Sequence, residues 1–279
     1  MPYITVGHEN SSAIDVYYED HGEGQPVVLI HGFPLNGASW ERQVPMLLSS
    51  GHRVITYDRR GFGRSSQPAT GYDYNTFAAD LSVVMNTLDL RDAVLVGFSM
   101  GTGEVTRYLG TYGSDRVAKA VLLGPLGPCL LQADDNPEGV PAKVFEDIKS
   151  GIREDRFAFQ KDFLDNLYNV DAFGGTARIS EWALQNSWNV AAGASAIGTL
   201  SCVDTWGTDF RKDMSGLASV PVLIVQGSED RILPPESSGR RLPALLPDAE
   251  HHEIEGGPHN IGWTHSELVN PMLAGFLAR

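Results

Sequence analysis

The chain of 279 residues can bury a large core, and its 42% hydrophobic and 20% charged content excludes collagen-like, coiled-coil and disordered classes. A formal net charge of −14 argues against nucleic acid or an anionic membrane surface as partner; it either favours small neutral molecules or simply serves solubility. Cys129 and Cys202 stand far apart in no C-x-x-C or metal-like spacing, so two free thiols in a reducing compartment are expected.

The segment Met1–Gly22 is polar, with Glu9, Asp15, Glu19 and Asp20 and no basic start before an apolar stretch, so no signal peptide is expected. Apolar runs such as Val27–Ile30 and Val94–Val96 are too short to cross a bilayer, and a cytoplasmic location follows as the expectation. Strands are predicted at Ile14–Glu19, Pro26–Ile30, Arg53–Tyr57, Ala93–Phe98, Ala118–Leu123 and Pro221–Gln226, with a last one at His251–Glu255. The inner runs are continuously apolar, as in parallel strands buried on both faces. Between Tyr57 and Ala93, residues Phe77, Leu81, Val84 and Leu88 recur at helical spacing, which predicts a crossover helix capped by Asp73.

After Leu123 the alternation stops. From Pro125 to Gly216 only helical patterns occur, separated by Gly, Asp and Asn, before Val220–Gln226 resumes the sheet. An excursion of about ninety residues is far longer than a loop. The expected architecture is α/β: a mostly parallel central sheet flanked by helices, formed by 1–124 and 217–279, with a helical cap inserted at 125–216. The aromatics Phe157, Phe159, Phe163, Tyr168, Trp182, Trp188 and Trp206 of that insertion either line a pocket or pack it on the core.

The strongest local signal is Gly97-Phe98-Ser99-Met100-Gly101, directly after one predicted strand and opening a helical stretch. In that context G-x-S-x-G describes a tight turn that exposes the serine hydroxyl at the C-terminal edge of the sheet. The Met100 N–H, at a helix start, is a candidate oxyanion donor. A serine needs a base, and this motif takes its partners in the chain order Ser, acid, His. His251, His252, His259 and His265 follow Ser99; the first two lie in a strand and the last begins a helix, whereas His259 sits in the turn-rich Gly256–Asn260. His259 is the expected base. Asp230, immediately after the buried run Val222–Val225, is the expected acid, with Glu229 as the neighbouring alternative. The second oxyanion donor is expected at the Phe33 N–H, in the loop after Pro26–Ile30, and His31 is read as a brace for that loop. Asp58–Ser65, with Arg59, Arg60 and Arg64, matches no phosphate-binding motif and is read as a tight turn with Arg–carboxylate pairing. No metal-ligand spacing is present, and neither metal nor cofactor is expected.

From end to end the chain resembles the cofactor-free bacterial haloperoxidases, a branch of the α/β-hydrolase superfamily that also holds aryl esterases, perhydrolases and γ-lactamases. The resemblance is carried by Gly24–Phe33, Tyr57–Gly63 and Gly97–Glu104, with Gly71–Tyr74, Asn186–Asn189 and Thr264-His265. It implies the α/β-hydrolase fold, the Ser99–Asp230–His259 triad and acyl transfer on small carboxylic esters or cyclic amides. With hydrogen peroxide as acceptor it implies a peracid that oxidises halide without bound metal or haem. It also admits a homo-oligomer. Asn260, Leu123–Pro128 and the small-residue stretch Ala191–Cys202 depart from the family pattern and are expected near the pocket. A serine at position 99 disfavours the dehalogenase and epoxide-hydrolase chemistries, which need aspartate there. A carbon–carbon bond hydrolase on the same triad, or a non-catalytic binding scaffold, are the alternatives.

Overall fold

Strands form where the sequence supplies runs that can be buried on both faces. In the computed structural model, which describes residues 2–279, β1 (Tyr3–Glu9), β2 (Ser12–His21), β3 (Pro26–Ile30), β4 (Arg53–Tyr57), β5 (Ala93–Phe98), β6 (Val117–Leu123), β7 (Val222–Gly227) and β8 (Glu250–Ile254) build one 8-stranded sheet. Its order is β1-β2-β4-β3-β5-β6-β7-β8; β1 and β2 are antiparallel and everything from β4 to β8 is parallel. Val27–Ile30, Val94–Val96 and Leu223–Val225 are almost wholly buried. Each such aliphatic side chain contributes roughly 1.5–3 kcal/mol relative to exposure.

Bounds for β3, β4 and β5 coincide with the sequence reading, and the other predicted strands shift by a residue or two at their ends. Strand β1 was not predicted. It is an edge strand with only Ile4 buried, so its sequence carries little apolar signal, and it is held by pairing with β2 across a turn at Asn10, φ 53°.

Helices α1 (Val44–Ser49), α2 (Tyr74–Thr87) and α3 (Met100–Tyr112) connect the early strands. Asp73 caps α2 by accepting from the Thr76 N–H at 3.0 Å, and Phe77, Leu81 and Val84 form the buried stripe of that helix. Between β6 and β7 lie α4 (Ala142–Tyr168), α5 (Val170–Phe173), α6 (Glu181–Ala192), α7 (Ala196–Thr205) and α8 (Met214–Leu217), with only isolated bridges of β character. Helix α4 breaks at Asp155 (φ −152°, ψ 97°), whose carboxylate accepts from the Phe157 and Ala158 N–H groups and so starts a second helical segment. After β8, α9 (Ile261–Thr264) and α10 (Ser266–Leu277) return to the core. No helix among the described residues is long and apolar enough to cross a membrane. The parallel strands all end at one edge, where the loops that matter converge.

Candidate active site

The turn between β5 and α3 is shaped by steric exclusion. Ser99 has φ 53° and ψ −121°, a conformation costly for any residue with a side chain. What holds it there is close approach on either side. A Cβ on Gly97 would lie 2.6 Å from the Gly101 oxygen, and one on Gly101 would lie 2.2 Å from the Ile30 oxygen. The Ser99 N–H donates to Leu123 O (2.9 Å) and its carbonyl accepts from Thr102 N–H (2.8 Å) and Thr102 Oγ1 (2.6 Å), so the backbone is pinned from β6 and α3. Its side chain lines a cavity.

His259 and Asp230 meet at the ends of β8 and β7. The imidazole is fully buried, with Nδ1 2.6 Å from Asp230 Oδ2. The carboxylate is fixed in turn: Oδ2 also accepts from Gln226 Nε2 (2.7 Å), and Oδ1 accepts from the Ile232 (2.9 Å) and Leu233 (2.8 Å) N–H groups. Glu229 does not compete, since its backbone N–H ties to Gly257 O at 2.9 Å and the carboxylate at the imidazole is that of Asp230. The His259 ring packs on Phe98, centroids 5.1 Å apart, and against Gly124, where a Cβ would stand 3.2 Å from the ring. Those are the residue before Ser99 and the residue after the carbonyl that anchors it. Nε2 of His259 is buried and has no hydrogen-bond partner among the described residues, so it is not bonded to Ser99 in this conformation. Unliganded sites often hold that contact long and tighten it on substrate.

Opposite Ser99 runs the loop after β3. Gly32 is pressed onto the elbow: a Cβ there would lie 2.8 Å from Phe98 Cδ1 and 2.9 Å from Ser99 Cβ. The Phe33 N–H finds no protein acceptor among the described residues, and the Met100 N–H belongs to the first turn of α3, where helix geometry leaves donors free. Phe33, Ser99 and Met100 line the same cavity. Beneath the loop His31 is fully buried. Its Nε2 accepts from the Arg59 N–H (2.9 Å) and its Nδ1 lies 2.9 Å from Gly32 O, which fixes the proton on Nδ1. Burial first, and then the Arg59 charge, hold this imidazole well below the usual histidine range. Arg59 in turn donates to His31 O (2.9 Å) and pairs with buried Glu104 (2.7 Å), which Tyr57 also contacts. Arg60 forks onto Asp80 with two bonds of 2.6 Å, whereas Arg64 is exposed beside Tyr17 and Glu19. The arginines of this turn are thus partnered by carboxylates in the protein itself.

The cavity at Ser99 encloses about 170 Å³ and is closed on the far side by Leu130, Val140, Phe145, Ile148, Phe163 and Trp206, with Ile232 and Arg231 from the loop after β7. Phe33, Phe163 and Trp206 pack edge-to-face or stacked, with centroids 5.0–6.3 Å apart. Of the aromatics singled out in the sequence, only Phe163 and Trp206 reach this cavity. Phe157 and Trp188 line a separate outer groove of about 520 Å³ between α4 and α6, Tyr168 is buried, and Trp182 is 83% exposed. Of the three stretches expected near the pocket, two do not line it. Asn260 does not line it, and the small residues of Ala191–Cys202 serve packing: Gly198 sits where a Cβ would be 2.7 Å from Tyr72, and the Ser195 N–H donates to Gly61 O at 2.7 Å. Gly124, in Leu123–Pro128, does abut His259. Among the described residues no cluster of three or more His, Cys, Asp or Glu side chains has the arrangement of a metal site.

The family model for the alpha/beta hydrolase fold matches residues 25–266. The chain is 39% identical to a non-heme chloroperoxidase of Kitasatospora aureofaciens, over 99% of both chains, and 33% identical to a bifunctional esterase/perhydrolase of Acinetobacter calcoaceticus, again over 99% of both. Among solved structures, a bromoperoxidase from Bacillus anthracis superposes with a TM-score of 0.94 at 45% identity, covering 99% of each chain. The chain belongs to the alpha/beta hydrolase fold family, alongside the non-heme haloperoxidases, and is an enzyme of hydrolase type.

Proposed function

We propose that this protein is a serine hydrolase acting by acyl transfer on small, apolar carboxylic esters, with a perhydrolase reaction when hydrogen peroxide replaces water. The observation that carries the reading is the 2.6 Å pairing of buried His259 with Asp230 beside a strained, cavity-lining Ser99. Ser99 Oγ attacks the ester carbonyl and passes its proton to His259 Nε2. Asp230 stabilises the imidazolium through Nδ1–H and stays ionised. The Phe33 and Met100 N–H groups receive the oxyanion, and the imidazolium then protonates the departing alkoxide. Water, deprotonated by His259, releases the acyl group as the acid. Hydrogen peroxide releases it as the peracid, which oxidises halide in solution while returning to the carboxylic acid.

The helices of 125–216 act as a cap that sets which acyl groups fit. A volume of about 170 Å³ lies below the ~300–1,000 Å³ usual for ligand sites, and the apolar wall favours short aliphatic or small aromatic acyl groups. Hydrolysis of p-nitrophenyl acetate by wild type and Ser99→Ala, run beside a peracetic acid assay in acetate and peroxide, tests the reading. Wild-type activity in either assay that disappears in Ser99→Ala supports it. Full activity in the variant, or none in wild type on any small ester, overturns it.

A further inference from the structure

The end of α4 reaches down to both loops that carry the acid and the base, through residues that no catalytic motif marks. Leu167, Tyr168 and Asn169 are buried, and Asn169 takes the left-handed conformation (φ 49°, ψ 60°) that joins α4 to α5. Asparagine is among the few residues other than glycine that tolerate it. The Leu167 carbonyl accepts from the Asn260 N–H at 3.0 Å, one residue after His259. The Asn169 Nδ2 donates to Glu229 O at 2.9 Å, one residue before Asp230. Asp171 pairs with Arg231 at 2.8 and 3.1 Å, one residue after Asp230. Tyr168 stiffens the junction from the side, its hydroxyl 2.9 Å from Ser187 Oγ on α6.

We infer that this α4–α5 junction is a clamp that holds the His259 and Asp230 loops in register, with Asn169 as its central positioning residue. The inference rests on the triad proposed above. Asn169 does not line the cavity and touches no reacting atom, so its effect passes through the backbone of the acid loop. A buried amide donor spent on the carbonyl next to a catalytic carboxylate fixes where that carboxylate stands. The imidazole bond it supports is short, and displacements of about 1 Å in such constellations cost about 100-fold in rate. The clamp also makes the helices that shape the cavity part of the acid–base geometry.

The test is Asn169→Gly, which keeps the left-handed backbone and removes only the amide. Its kcat and KM for p-nitrophenyl acetate are measured across pH 5–9, together with the far-downfield proton resonance of His259 Nδ1–H. The expected result is a fall in kcat of about 10- to 100-fold with KM within about threefold, a displaced acid limb of kcat/KM, and a shifted or broadened resonance. Wild-type kcat, pH profile and resonance in a folded variant overturn the clamp. So does a rate loss in which the pH profile and resonance stay those of wild type, since that is mere loss of structure. Should Asn169→Gly fail to fold, Asp171→Asn, at an exposed pair, takes its place: a several-fold fall in kcat with a displaced resonance supports the clamp, and wild-type values overturn it. Ser99→Ala in the same series separates the two readings. If it retains activity the triad fails; if it is inactive while Asn169→Gly behaves as wild type, only the clamp fails.

Discussion

The two walls of the Ser99 cavity are built by different physics. The wall at the sheet edge, lined by Phe33, Ser99 and Met100, is set by the backbone behind it: a strained serine and glycines at positions that no larger residue can occupy. The facing wall, from the helices between β6 and β7, is made of apolar side chains such as Val140, Phe145, Phe163 and Trp206. Backbone cannot be altered by substitution without altering the fold, whereas a side-chain wall can be recut one residue at a time. On the proposed function, the chemistry belongs to the first wall and the choice of substrate to the second.

Substitutions on the two walls should accordingly fail in different ways. Ser99→Ala has the largest effect: esterase activity falls by at least about 1,000-fold, and because the side-chain bond found at Ser99 among the described residues is to its carbonyl and not its hydroxyl, thermal stability stays near wild type. Gly101→Ala tests whether the elbow is steric. Its new methyl meets the Ile30 oxygen at 2.2 Å, and overpacking of about 1–3 kcal/mol lowers Tm by about 2–5 °C along with activity, as calorimetry and assay would report. An unchanged melting curve would break the distinction between the walls. Trp206→Leu tests the other side. Enlarging the cavity moves preference from acetate toward longer acyl esters, changing the kcat/KM ratio of hexanoate to acetate by about 10-fold or more while the enzyme stays active. An unchanged ratio would remove the side-chain wall from specificity.

The smallest effect is on stability against pH, and it reads the brace under the loop after β3. Buried His31 stays neutral well below the ordinary histidine range, while in the unfolded chain it protonates below about pH 6.5. The unfolded state thus binds the extra proton. The contribution is complete above about pH 6.5 and is lost as pH falls, with a slope of at most about 1.4 kcal/mol per pH unit. Urea unfolding at pH 7.5 and 5.5 measures it, and His31→Gln should flatten that part of the slope while lowering stability at pH 7.5.

How much of this could be read from the sequence follows the same division. Buried parallel strands announce themselves, so β3, β4 and β5 were legible to the residue, but edge strand β1, with only Ile4 buried, was not. Ser99, Asp230 and His259 could be proposed from the sequence because steric need and chain order constrain the choice, and the structure brings the latter two within 2.6 Å. The side-chain wall was not. Seven aromatics were candidates, and which of them face the cavity depends on the break of α4 at Asp155 and on the packing of α7 against Tyr72, neither of which periodicity encodes. Asn169 was invisible for a related reason: its role comes from a left-handed junction and a contact 60 residues away.

Covalent labelling tests the central claim most directly. The protein is treated with an alkyl fluorophosphonate, digested, and the modified peptide sequenced by mass spectrometry, with loss of esterase activity followed in parallel. The account predicts one phosphonyl group per chain, on Ser99, in step with inactivation, and no adduct in Ser99→Ala. An active enzyme that resists the reagent, or inactivation with the adduct on another residue, would contradict it.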